Sequence, residues 1–216
     1  LEGGAPLDPT NPDEGMAFTA VAVALLYMDD LDTSEALLND ALTTARERGL
    51  VIAFATASYL RAWPQYFRGR LQDSIADSEQ ALDAGRYGWK MFAGAASAVL
   101  AHAQVERGDL DAAQRAVDAA PEESLAPESG EWTILLEARA RIRRGRRDLE
   151  GALEDFLTCG ELLQKAGFAT RPTLWRAQAA VICAQLGDGD RAGDLIAAER
   201  ELAERIDASR TTGMVL

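Results

Sequence analysis

Histidine is nearly missing from this chain, and with it much of the usual material of a catalytic site. His102 is the one imidazole in 216 residues. It completes no recognised zinc spacing with Cys159 or Cys183. No G-x-S-x-G elbow accompanies it, so a hydrolytic triad has no foundation. Packing or a buried hydrogen bond is its expected role. Cysteine is limited to two residues, each in an apolar helical stretch. Reduced core thiols are expected, not a disulfide framework. No G-x-x-x-x-G-K-[ST] loop is present to hold phosphates, and no cofactor is called for.

Other shortages narrow the class further. Aromatics make up 6% of the chain and runs of Val, Ile and Thr are scarce, whereas alanine is abundant. That balance favours helix. No apolar stretch reaches the length of a membrane span, and no charged, apolar and cleavable leader opens the chain. A cytoplasmic protein with no membrane partner is expected. Basic residues number 22 against 35 acidic ones, a net charge of −13 spread along the chain. Such a surface repels a phosphate backbone, so no direct nucleic-acid contact by this segment is expected. Solubility accounts for the acid. The pairs Asp29-Asp30, Glu122-Glu123 and Glu154-Asp155 read as solvated turns and faces, not as carboxylates opposed across a cleft.

What the chain does have is a repeat. A small residue recurs at Ser34, Ser74, Ala113, Ala152 and Ala192, at steps of 40, 39, 39 and 40. Leu31, Leu71, Leu110 and Leu149 keep pace, with Gly189 in the fifth place. A turn precedes each small residue, and Gly69, Gly108 and Gly187 stand five residues before theirs. A period of this length signals one supersecondary unit stacked several times. The unit is a helical hairpin: a buried helix A, a tight turn, and an amphipathic helix B whose small residue lets it lie close. After a flexible lead-in over 1–12, the units span about 13–49, 50–86, 87–120, 130–167 and 171–208, within one helical-repeat domain over 13–216. The expected fold is all-α, a right-handed α-α superhelix of about five hairpins with its groove lined by the A helices.

Several details follow from particular residues. Pro64 should kink or shorten its helix. Gly49, Gly85 and Gly167 should stop helices. The segment 121–130, with two prolines and a glycine, is the expected mobile loop. Gly145 lies seven residues before Ala152, so the fourth turn should be two longer and slightly irregular. Trp89, Trp132 and Trp175 should open helices at steps of 43 and pack on the preceding unit. Pro172 suits a helix start. Ser209 onward reads as the opening of a sixth unit, and with Leu1 first the chain reads as a piece of something longer.

A glycine five residues before a small residue in stacked hairpins resembles tetratricopeptide repeats, in a long and degenerate form, since their period is about 34. The last third is similar to the helical region of the large ATP-binding LuxR-type transcriptional regulators related to the maltose activator. The residues that carry this likeness are Pro172, Trp175 and Arg176, then Leu186, Gly187 and Ala192, then 199–205, then Ala208-Ser209-Arg210. The resemblance implies an ATPase module before this array and a DNA-binding helix-turn-helix after it, neither of which lies in these residues. It implies that the array senses a protein, a peptide or a small inducer, contacts other domains of the parent regulator, and helps control self-association. Separately, an open-ended array leaves an apolar face at each end that a second copy could cover, which keeps a homodimer open as an expectation.

Two sets of side chains are the candidates for recognition. The arginine cluster Arg139, Arg141, Arg143, Arg144, Arg146 and Arg147 falls at a helix end, where the dipole favours cations. The remaining reading for it is contact with an acidic partner. Tyr59, Arg61, Trp132, Arg139, Trp175 and Arg176 are the partner-binding candidates if they face the groove, because aromatics and arginines dominate interface energies. The expected function is non-enzymatic recognition within a regulator. A free-standing scaffold that docks a peptide is the alternative. An all-helical enzyme using Glu and Arg is the third reading, and it would need ionisable groups with strongly shifted pKa values converging on a concave site.

Overall fold

A computed structural model of the chain describes residues 12–126, 130–167, 174–206 and 213. The described residues form helices and turns, with no strand among them. The helices are α1 (Pro12–Tyr27), α2 (Leu31–Arg48), α3 (Val51–Phe67), α4 (Leu71–Asp83), α5 (Ala93–Glu106), α6 (Leu110–Asp118), α7 (Gly130–Gly145), α8 (Leu149–Lys165), α9 (Trp175–Leu186) and α10 (Gly189–Ile206). Among the described residues no helix is long and apolar enough to cross a membrane. Residues 1–11 of the lead-in, Pro172, and the expected sixth-unit opening with its Ala208-Ser209-Arg210 step lie outside the described residues, as do 127–129 of the expected loop.

Five turns join the helices in pairs, and all five are built alike. A residue in the left-handed region sits at Asp29 (φ 56°), Gly69 (72°), Gly108 (82°), Arg147 (68°) and Gly187 (85°). Each lies five positions before the small residue of its unit. Its N–H bonds the carbonyl three residues back, and the next N–H bonds the carbonyl five residues before itself, as in Gly69 to Tyr66 and Arg70 to Gln65. That double closure ends the first helix by satisfying its last carbonyls. The small residue's N–H then bonds the residue after the left-handed one, for example Ala113 to Asp109. In four turns that residue is an aspartate whose carboxylate caps helix B: Asp30 accepts from Thr33, Asp109 from Ala112, Asp148 from Gly151 and Asp188 from Arg191.

The fourth turn therefore corrects the expectation of irregularity. Gly145 is the last residue of α7, and Arg147 takes the left-handed place that glycine holds in three other units. A glycine is not the marker of this turn; the spacing to the small residue is. Gly145 has a different use, since a Cβ there would come within 2.8 Å of the Leu110 side chain at the start of α6.

Other helix limits differ for similar reasons. Pro64 does not end α3 early: the helix continues to Phe67 and Arg68 N–H bonds the Pro64 carbonyl. Only the carbonyl one turn earlier loses its donor. The second unit stops at Gly88 (φ 92°), not at Gly85, because α4 tightens into a 3₁₀ turn over Ala84–Tyr87. Trp89 does not open a helix; α5 starts four residues later at Ala93. The described part of the expected loop contains a 3₁₀ turn, Glu122–Leu125. Ser124 is buried there, and its hydroxyl donates to Glu131 Oε2 at 2.5 Å.

The helices gather into two compact units, Leu1–Phe92 and Ala93–Leu216, where the sequence suggested one domain over 13–216. In the first, α2 packs on α1 and α3, and α3 on α4. In the second, α5, α6, α7, α8, α9 and α10 each pack on the next in chain order, and α7 also touches α5. Helix α7 shows why the A helices are apolar on more than one side. Leu135, Ala138 and Ile142 join the core with α5 and α6. Leu136 and Ala140 join the one with Phe156, Cys159 and Leu163 of α8 and Trp175 and Ile182 of α9. A helix sandwiched between two neighbours must bury opposite faces. Burying that shared surface is the main stabilising term of each hairpin, which is too thin to hold a core alone.

Candidate functional site

The two cysteines are buried and not joined in a disulfide, with Cys159 Sγ 3.4 Å from the Thr133 carbonyl oxygen, and His102 is fully buried in α5. Burial, helped by the nearby Arg141 charge, pushes the His102 imidazole well below its ordinary 6.5. Among the described residues no three His, Cys, Asp or Glu side chains are grouped to hold a metal.

The six candidate recognition residues fall into local clusters. In the first compact unit, Tyr59 is buried in α3, its ring 5.6 Å from Phe92 and 6.3 Å from Trp89. The Trp89 indole N–H donates to Thr56 of the same helix at 3.0 Å. Arg61 lies two residues on. Its Nε and Nη2 donate to the Asp77 carboxylate of α4 at 2.7 and 2.8 Å, and its Nη1 donates to Asn39 of α2 at 2.7 Å. The Asp77 bonds raise the Arg61 guanidinium above its already high ordinary value.

In the second unit, Arg139 of α7 makes the equivalent fork with Asp155 of α8, at 2.9 and 2.7 Å, and its guanidinium stacks 5.2 Å over Trp132. Its bonds to Asp155 likewise raise it. Arg176 lies 4.4 Å over the Trp175 ring and pairs with the fully buried Glu199 of α10 at 3.2 Å. The Trp175 ring sits on Gly160 of α8, where a Cβ would meet it at 2.3 Å. The tryptophans at 89 and 175 thus pack back on the preceding unit. The four residues Arg61, Arg139, Trp175 and Arg176 are engaged in joining one helix to another.

The arginine cluster does something its helix-end position only half suggested. Arg146 reaches back to Asp111 (2.9 Å) and Gln114 (3.1 Å) of α6, and Arg141 to Glu106 of α5 (3.3 Å). Arg143 reaches forward to Asp155 of α8 (3.0 Å), and Arg144 to the Gln178 amide oxygen of α9 (2.7 Å). One helix end ties together its neighbours on both sides. In the first unit Arg68 pairs with Asp32 and Arg70 with Glu35 in the same way.

A concave site lies at this helix end. A cleft of about 330 Å³ opens between the α5–α6 turn and the end of α7. Val105, Leu110, Gly108 and Gly145 form its apolar wall, and Glu106, Arg141 and Arg144 its polar one. Arg141 is well covered, with 10% of its side chain exposed, whereas Glu106 is 48% exposed. Arg144 bonds the neutral Gln178 and no carboxylate among the described residues. Burial lowers the Arg144 guanidinium from its ordinary value, the Arg141 charge lowers it further, and Glu106 opposes them.

Sequence reasoning nominated Arg61 and Arg139 without seeing their partners. A signal was present: each has an aspartate sixteen residues on, at the same distance from the small residue of its unit. Arg144 was seen only as part of a charge run, since nothing local says that α5 and α6 return beside it. Compared with known proteins, the chain matches no protein-family model and no curated protein. The class that fold and site define is an all-helical one, its described helices joined in pairs by one recurring turn.

Proposed function

We propose that this chain is a non-enzymatic recognition domain of tetratricopeptide-like type, and that it serves a LuxR-type transcriptional regulator by binding a protein partner or a small inducer. The observation that carries the reading is the turn repeated in all five hairpins, the mark of a tandem array. Such arrays present surface between and along their units, and the cleft beside α7 is a surface of that kind. The charged groups around it, two guanidiniums and one half-exposed carboxylate, suit recognition of a charged or polar ligand. A right-handed superhelix, a cytoplasmic location and homodimer formation belong to the same proposal. Coupling to the parent works by population shift, with the ligand favouring one arrangement of the array.

The parent gene tests the regulator part. An open reading frame with a nucleotide-binding ATPase before these residues and a helix-turn-helix after them supports it. A frame with neither leaves the free-standing scaffold. Within a regulator, deleting 12–206 should abolish the response of a reporter to its inducer. An unchanged response sinks the sensing role.

A further inference from the structure

We propose that the cleft between the α5–α6 turn and the end of α7 binds a small carboxylate-bearing ligand, with Arg144 as its anchor and Glu106 as the chain's own carboxylate in the ligand's place. The inference rests on the recognition reading above and gives it a ligand class.

The cleft already holds one carboxylate of the chain. Glu106 shows that a carboxylate reaches the Arg141 guanidinium in this cleft. It does so through a single 3.3 Å contact, from a side chain that is half exposed. The forked pairs at Asp77 and Asp155 are shorter and two-pronged. Charge-assisted forks are the strong form of this interaction, so Glu106 is the loosely held one.

Arg144 supplies the second half. A guanidinium has five N–H donors in a fixed fork that matches a carboxylate. The bond to Gln178 uses Nη1 and neutralises no charge. Two guanidiniums thus share the cleft with one carboxylate, and both are partly or largely withdrawn from water. A ligand carboxylate that reaches Arg144 lies beside Glu106 and the ends of α5 and α7, all of the same sign, so it takes the place of Glu106 and does not add to it. The volume of about 330 Å³ sits at the low end for small-molecule sites, which restricts the ligand to a few carbons beyond the carboxylate. The apolar wall of Val105 and Leu110 suits those carbons.

Isothermal titration of the 216-residue chain at low ionic strength, with succinate and with inorganic phosphate as probes, tests this. Succinate should saturate one site and bind more tightly than phosphate. Glu106→Gln should bind succinate at least fivefold more tightly, because the competitor is gone. Arg144→Gln should bind at least tenfold more weakly, with the far-UV dichroism of the wild type. If Arg144→Gln fails to fold, the Glu106→Gln comparison decides alone. Absence of saturable succinate binding in both the wild type and Glu106→Gln overturns the proposal. So does an unchanged affinity in folded Arg144→Gln, or a preference for phosphate. These titrations need no parent protein, so they fail or succeed independently of the regulator reading.

Discussion

Arg139 holds Asp155 in a two-pronged ion pair across the fourth hairpin, Nε to Oδ2 at 2.9 Å and Nη2 to Oδ1 at 2.7 Å. Arg61 and Asp77 stand in the same places of the second hairpin. The first, third and fifth hairpins fill those places with Val21 and Leu37, Leu100 and Ala116, and Ala179 and Leu195. One pair of positions is thus filled in two ways, by a charged fork or by two apolar side chains.

Asp155 is nearly covered and serves both Arg139 and Arg143. Asp155→Ala should cost about 2–3 kcal/mol in urea unfolding, since it leaves partly desolvated guanidiniums without their acceptor. Adding Arg139→Leu, which imitates the third hairpin, should restore about 1 kcal/mol or more. Simple additivity of the two losses would remove the argument that the sites are equivalent.

The turns give a second test. Arg147 occupies a left-handed place at φ 68° that costs an L-residue roughly 1–2 kcal/mol. Arg147→Gly should raise stability by about 0.5–1 kcal/mol after the greater chain entropy of glycine is deducted. Gly187→Ala, at φ 85°, should lower it by about 1 kcal/mol. Thermal melts of the two variants should shift in opposite directions; a loss in both would mean that the Arg147 side chain holds the turn by other contacts.

Gly160 offers a third. A methyl there would lie 2.3 Å from the Trp175 ring, far inside contact distance, and the ring is wedged between α8 and α9. Gly160→Ala should destabilise by about 1–3 kcal/mol despite its better helix propensity. The near-UV dichroism should change while the far-UV spectrum stays helical. A stabilised Gly160→Ala would show that the indole does not rest on this helix.

His102 sets a dependence on pH. Its folded pKa lies well below 6.5, so the unfolded chain binds the proton first as pH falls. The stability due to neutral His102 is fully present above about pH 6.5. It is lost as pH falls below that value towards the folded pKa, with a slope of up to about 1.4 kcal/mol per unit. Between pH 7 and 5, His102→Gln should lose stability less steeply than the wild type. Parallel curves would locate the acid sensitivity elsewhere.

Much of the fold was legible because its signals are local. The leucines at 31, 71, 110 and 149 are each the first residue of a B helix, as their recurrence suggested. Ser34, Ser74, Ala113 and Ala152 are fully buried, which is why they are small. Gly145 and Gly85 misled for the converse reason: one was read as the glycine of its turn and the other as a helix stop, and each is spent otherwise, one beside Leu110 and one inside a tightened helix end. The asymmetry between residues that mark turns and residues that merely resemble markers was visible only in φ.

The site was much less legible. Glu106 and Arg141 are thirty-five residues apart, as are Arg146 and Asp111, and Arg144 and Gln178 are thirty-four apart. No rule of helical spacing reaches so far, because i to i+4 neighbours lie on one helix.

By itself the order of residues determined the helices, their pairing into hairpins and the place of each turn, since backbone closure and apolar periodicity act over a few residues. The tertiary structure alone decided which arginine meets which acid, which glycine receives a neighbour's side chain, and where a cleft remains. Those outcomes depend on how successive hairpins stack, and stacking brings together groups a whole repeat apart.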